Sequence, residues 1–223
     1  QQRGPDGSNE HVIDQTSPSC LSSLFATVLH MQGDLPSLQP IRRNGFIMCY
    51  NGEVYNFQEL THELQTKGRK FETRSDTEVV LQSIDEWGPG AIRRFNGMFS
   101  LGHWNRSNRS LLIARDRAGI KPLYYAQFKD GGFAFASELK ALLVIPDLSK
   151  DLSPEALRSY FFSDYVAPPL SILKSVSKLP PGFFLNWNNG RLETPQSYWD
   201  VSSLLEKTPS RKKLDPHEVK EQL

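Results

Sequence analysis

Apolar and polar positions follow one another in this chain with a period that changes from segment to segment, and the predicted elements change with it. Residues 1–22 are polar and are broken by Gly4, Pro5, Gly7 and Pro18, which predicts a loop. The run from Leu21 to Met31 is apolar and partly β-branched, so a strand carrying Phe25, Val28 and Leu29 is expected there. Its expected partner is the run Phe46 to Tyr50, across a loop from Gly33 to Gly45. Asn51-Gly52 then stops that strand with a pair that tolerates positive φ and leaves backbone N–H groups open. Taken locally, Asn-Gly between apolar runs is first of all a hairpin turn.

Beyond Val54 the period becomes about 3.6. Asn56 followed by Glu59 is a capping-box pattern, and Phe57, Leu60 and Leu64 share one face before Gly68 closes the helix. A short strand over Arg69 to Thr73 leads to a second capping box, Ser75 with Glu78. That box opens a helix with Val80, Ile84 and Trp87 on its inner face. Ser-Asp-Thr-Glu needs no ligand to explain it, because Asp76 and Glu78 favour the positive end of the helix.

From Gly97 to Ser137 the pattern alternates with period two. Met98–Trp104, Ser110–Ala114, Leu123–Phe128 and Phe133–Ser137 predict a four-stranded antiparallel meander, and the pattern alone gives an antiparallel α+β fold. Ser153-Pro154-Glu155 starts a further helix ending in Tyr160, Phe161 and Phe162. The stretch after it, with Ala167-Pro168-Pro169, Lys178 to Gly182 and an Asn188-Asn189-Gly190 hairpin, is most simply an edge strand with turns. Leu204 to Leu214 is a lysine-rich linker, and Asp215-Pro216-His217-Glu218 announces a helix only about two turns long by Leu223. Such a helix is below the ~12–15 residues an isolated one needs, so continuation into a second domain is expected.

Composition narrows the function classes. Twenty-six basic and twenty-five acidic residues in 223 leave almost no net charge, which argues against a nucleic-acid or anionic-membrane surface. Two cysteines, Cys20 and Cys49, are too few for a disulfide framework, and no apolar run reaches the ~20 residues of a membrane span. With no signal peptide at the start, the expected location is cytoplasmic. Asn105-Arg106-Ser107 and Asn108-Arg109-Ser110 match the glycosylation pattern but read as a polar turn.

Six motifs in order carry a resemblance. They are Arg3-Gly4-Pro5-Asp6, Asn51-Gly52-Glu53-Val54-Tyr55-Asn56, Ser75-Asp76-Thr77-Glu78, Phe95-Asn96-Gly97-Met98-Phe99, the run from Ala114 to Tyr125, and the run from Phe135 to Leu142. Together they resemble the glutaminase half of glutamine-hydrolysing asparagine synthetases, a class II glutamine amidotransferase domain of the Ntn-hydrolase type. The first forty residues look closer to the asparagine-synthetase-domain-containing branch. The resemblance implies a four-layer α-β-β-α sandwich of antiparallel sheets, N-terminally truncated. It places the glutaminase domain over 1–150 without its N-terminal cysteine strand. The end of that domain and an interdomain segment then fall over 151–203, and a linker with the first turns of a synthetase domain over 204–223.

The implied chemistry is glutamine hydrolysis supplying ammonia for ATP-dependent amidation of aspartate. An N-terminal cysteine attacks as thiolate, with its own α-amine, pKa ~7.7–8.0, as general base. Residue 1 is Gln1, while Cys20 and Cys49 are internal and in apolar surroundings, so neither is expected to be the nucleophile. By resemblance, the Asn51 amide and Gly52 N–H form the oxyanion hole, while Glu53 and Asp76 hold the substrate α-ammonium group. Val28 stands where the family's arginine should clamp the substrate carboxylate, and Arg42 or Arg43 is the nearest replacement. His30 reads as a hydrogen-bonded strand residue. Arg115, Asp116, Arg117 and Lys121 are assigned to turn geometry and internal ion pairing.

No metal site is expected, and no cofactor in this chain. ATP and Mg²⁺ are implied for the synthetase domain, since no glycine-rich pyrophosphate loop occurs here. Partners by resemblance are glutamine and the chain's own C-terminal synthetase domain, with a homodimer as the candidate assembly. Three readings stand: a glutaminase domain of asparagine-synthetase type, inactive as this fragment; a non-catalytic pseudo-glutaminase or interaction domain, motivated by Val28; and a glutaminase feeding a sugar-phosphate acceptor. Lys178 to Gly182 and Tyr198-Trp199-Asp200 resemble only the asparagine type and speak against the third.

Overall fold

A computed structural model describes residues 7–17, 20–28 and 39–201, the first two segments by backbone alone. Strand β4 (Phe46–Val54) organises the layers. It pairs antiparallel with β5 (Gly97–Asn105) without interruption, from Phe46 opposite Asn105 to Val54 opposite Gly97. The strand therefore runs through Asn51-Gly52 rather than stopping there, and the local hairpin reading of that pair is wrong. Its other edge is taken only as far as Met48, by β3 (Ile41–Arg43).

The sheet continues from β5 to β6 (Ser110–Arg115) and then to β10 (Phe183–Asn188), which is flanked by β11 (Arg191–Leu192) and β12 (Gln196–Ser197). The proline-rich segment thus supplies an edge strand, Ser177–Lys178 of a second sheet, as expected, and an interior strand, β10, as well. That second sheet has the order β8-β7-β9, from Tyr124–Gln127 (β7), Phe133–Ala136 (β8) and Ser177–Lys178 (β9). The four predicted strands between 97 and 137 all form, but they divide two and two between the sheets. Asp116 to Leu123 carries the chain across, so they are no single meander.

Alternation along β4 decides what each face meets. Met48, Tyr50 and Val54 face a core shared with Leu60 and Leu64 of α1 (Phe57–Thr66) and Val80 and Ile84 of α2 (Asp76–Trp87). Ile47 and Cys49 face the opposite core, where Trp104, Ile113 and Leu185 meet Leu123, Tyr125 and Phe135 from the second sheet. At Gly102 a Cβ would lie 2.2 Å from the Phe135 ring, so the two sheets touch with backbone against aromatic. Beyond the second sheet, Leu139 and Leu142 of α3 (Leu139–Leu142) pack with Ala126, Leu148 and Leu173. The order is helices, sheet, sheet, helix, and both sheets are antiparallel: an α-β-β-α sandwich.

Other expectations need correction. Residues 7–17 form β1 (Gly7–Ser17), paired with β2 (Cys20–Val28), where a loop was expected; β2 takes β1 as its ladder partner and not Phe46–Tyr50. No strand forms over Arg69–Thr73. Asn56 precedes α1, but its side chain accepts from Asn96 N–H and donates to Arg94 O instead of capping the helix. Ser75 does cap α2, accepting from Glu78 N–H. Ser153 likewise caps α4 (Pro154–Ser163), with the proline at its first turn as expected. Arg3 to Asp6, His30, the linker from Leu204 and the helix announced at Asp215 lie outside the described residues.

Candidate active site

Gly52 sits in β4 beyond the point where β3, the ladder partner on that edge, ends. In an antiparallel strand, successive N–H groups point to alternate sides. Tyr55 N–H turns towards β5, donating to Asn96 O at 2.8 Å. Tyr50 and Val54 turn the other way, and each meets a side chain instead of a strand. Gln39 Oε1 accepts from Tyr50 N–H at 2.7 Å, and Asp76 Oδ2 accepts from Val54 N–H at 3.0 Å. By the same alternation Gly52 N–H points to this edge, between two capped positions, and β3 has already ended opposite Met48. Among the described residues it has no backbone acceptor, and β2 (Cys20–Val28) runs close to β4. Asn51 and Glu53 flank it, both half-buried.

Glycine is required at 52 for a second reason. A Cβ there would lie 2.1 Å from Met98 O and 2.6 Å from Phe99 Cα. The opposing strand is itself pinned at this point. Asp116, fully buried, accepts from Phe99 N–H at 3.2 Å, and Phe99 is the residue opposite Gly52. The same carboxylate accepts from Ala118, Ile120 and Lys121 N–H groups, and the Arg115 guanidinium donates to the carbonyls of Gly119, Lys121 and Leu179. The charged turn is structural, as expected. The Arg115 and Asp116 charges are satisfied by backbone groups, however, rather than by the internal ion pair that was expected.

The carboxylate at Asp76 is brought to the edge by α2, whose start is fixed by Glu78. That residue is 2% exposed and accepts from Glu72 and Thr73 N–H, Thr73 Oγ1 and Gln82 Nε2, and it pairs with Arg43. The capping-box expectation is therefore half met. Glu78 holds the loop before the helix instead of reaching back to Ser75. Arg43 also donates to Lys70 O at 2.8 Å, so its guanidinium is committed on the helix side. Asp76 is more than a first-turn acid: its Oδ2 accepts the Tyr50 hydroxyl at 2.8 Å as well as Val54 N–H. Burial first, and the Asp76 carboxylate second, hold the Tyr50 phenol well above its ordinary range, so it stays a donor.

The remaining predicted residues are placed less fully. Val28 ends β2, its backbone paired with Gly7. Burial pushes the Cys49 thiol up to about 12, which suppresses its thiolate at neutral pH and fits the expectation that it is no nucleophile. Tyr50, Gln39 and the Arg43–Glu78 pair are participants that the sequence did not point to. Only the strand alternation running out from Asn51 could have indicated Tyr50. Among the described residues, no cluster of three or more His, Cys, Asp or Glu side chains could hold a metal ion.

The edge so described is an outward-pointing Gly52 N–H flanked by Asn51 and Glu53, with the Asp76 carboxylate held at Val54 N–H, on a stacked pair of antiparallel sheets. The family model described as glutamine amidotransferase domain matches residues 1–199, and the chain belongs to that family. It is 32% identical over 206 residues to asparagine synthetase [glutamine-hydrolyzing] 3 of Bacillus subtilis, a match covering 90% of this chain and 32% of that protein. It is 34% identical over 191 residues to a putative asparagine synthetase [glutamine-hydrolyzing] of Mycobacterium bovis, covering 82% of the chain and 29% of the relative. The chain thus spans about a third of these relatives' length. Among solved structures, glutamine phosphoribosylpyrophosphate amidotransferase of B. subtilis superposes with a TM-score of 0.52 at 18% identity, over 79% of this chain and 34% of that one. The allosteric regulatory enzyme of purine biosynthesis gives a TM-score of 0.57 at 18% identity, over 79% and 35%. At that identity the likeness shows the fold alone. No described helix is long and apolar enough to cross a membrane.

Proposed function

We propose that this domain binds glutamine at the β4 edge as the glutaminase part of an asparagine-synthetase-like enzyme. The observation that carries the reading is the Gly52 N–H pointing out from the β4 edge between the capped Tyr50 and Val54 N–H groups. A carboxamide oxygen placed there receives the Gly52 N–H and the Asn51 side-chain amide. Both are fixed donors of the kind whose removal typically costs ~3–4 kcal/mol in an acyl-transfer transition state. Glu53 and Asp76 supply the negative charge for the substrate's α-ammonium group. ATP and Mg²⁺ belong in this reading to a linked synthetase domain, which would use the ammonia to amidate aspartate.

The nucleophile that this chemistry needs is a cysteine bearing a free α-amine, which neither Cys20 nor Cys49, both internal, provides. The domain is expected to bind glutamine at the β4 edge. Calorimetric titration with glutamine, with glutamate release measured in parallel, tests this. Saturable binding that is lost in Asn51→Ala and Asp76→Ala supports the reading, and absence of binding at tens of millimolar glutamine overturns it. A second reading, a fold kept as an interaction domain, is favoured by Val28 at the arginine position and by the engagement of Arg43 with Glu78. It gains if glutamine is not bound.

A further inference from the structure

We infer that Tyr50 is a positioning residue for glutamine recognition, its hydroxyl fixing the Asp76 carboxylate that receives the substrate's α-ammonium group. The inference rests on the reading of the β4 edge as a glutamine site and adds a residue which that reading does not use. Asp76 Oδ2 is held by two donors from the same strand, the Tyr50 hydroxyl at 2.8 Å and Val54 N–H at 3.0 Å. Among the described residues no donor reaches Oδ1, which leaves that oxygen to a cationic ligand.

The two bonds tie the start of α2 to the strand on both sides of Gly52, so the distance from carboxylate to oxyanion donor is set by β4 itself. Val54 N–H alone leaves the carboxylate able to pivot about one bond. The phenol removes that freedom, and it can do so because its ring is packed: Tyr50 is 6% exposed and sits in the core between β4 and the helices. Its own N–H is held by Gln39, so neither end of the residue moves independently. Tyr50 does not touch the reacting amide. Its contribution is to the position of a charge, and it is therefore expected in ligand discrimination rather than in fold stability.

The test is Tyr50→Phe, which keeps the ring and removes the hydroxyl. Two ligands are titrated calorimetrically into the native and variant chains: glutamine, and 4-carbamoylbutanoate, which is glutamine without its α-amino group. The expected result is a fall in glutamine affinity on the order of tenfold, with 4-carbamoylbutanoate affinity unchanged, since only the former carries the ammonium. Asp76→Asn should abolish the discrimination, and Tyr50→Phe on top of it should change nothing further. Unchanged glutamine binding in a folded Tyr50→Phe chain overturns the inference alone, as does a parallel loss for both ligands, the mark of a merely structural role. Failure of the native chain to bind glutamine overturns the site reading and the inference with it.

Discussion

Gln39 Oε1 accepts the Tyr50 backbone N–H at 2.7 Å and so stands where the next β-strand would stand. The side chain is buried, at 8% exposure, and closes the β4 edge on one side of Gly52 as Asp76 closes it on the other. Gln39→Leu keeps the bulk and removes the acceptor. It is expected to lower stability by ~1–3 kcal/mol, the cost of a buried N–H without a partner, as read from urea unfolding. The Tyr50 amide should also exchange faster with deuterium.

Asp116 holds four backbone N–H groups around the turn after β6, among them that of Phe99 opposite Gly52. Asp116→Ala leaves the four donors without that acceptor, the Phe99 N–H buried and the other three at the partly exposed turn. An expected loss of about 3–5 kcal/mol would lower the melting temperature by roughly 10 °C. A loss under ~1 kcal/mol would contradict the structural role given to this turn.

His103 is 5% exposed, stacks on Phe46 with ring centroids 5.0 Å apart, and its Nε2 has no partner among the described residues. Burial lowers its pKa from 6.5 to about 4. The unfolded chain therefore binds the proton more readily, so folding stability is fully present above pH ~6.5 and is lost as pH falls towards 4. The loss amounts to ~3 kcal/mol. His103→Phe should flatten this part of the melting temperature's pH dependence, leaving only the carboxylate contribution at lower pH.

Cys49 offers a check on the site assignment. With its thiol pushed up to about 12 by burial, alkylation by iodoacetamide at pH 8 should be far slower in the native chain than in urea, with mass spectrometry locating the adduct. Rapid native modification of Cys49 would show a reactive thiolate and would reopen it as a nucleophile.

Much of this was legible in the sequence because it depends on local pattern. The period change at Val54, the Ser75 and Ser153 caps and the Asn188-Asn189-Gly190 turn each act within a few residues, and each formed as read. The division of four strands between two sheets was not legible, because it depends on where the Arg115–Asp116 turn sends the chain and not on alternation, which is the same in either sheet. Nor was the continuity of β4. Asn51-Gly52 breaks a strand locally, yet Gly52 is needed inside this one so that Met98 and Phe99 can approach. At the proposed site, Asn51, Gly52, Glu53 and Asp76 were named through a family pattern. Tyr50, Gln39 and the Arg43–Glu78 pair were missed because their partners lie 26, 11 and 35 residues away in sequence.

The most direct measurement is a titration of the ¹⁵N-labelled chain with glutamine, followed at the Gly52 amide by heteronuclear NMR. A carboxamide oxygen seated on the outer edge of β4 should shift the Gly52 amide saturably, together with the Asn51 side-chain amide, while amides of the Asp116 turn stay in place. If Gly52 and Asn51 do not move at tens of millimolar glutamine, the β4 edge is not a glutamine site.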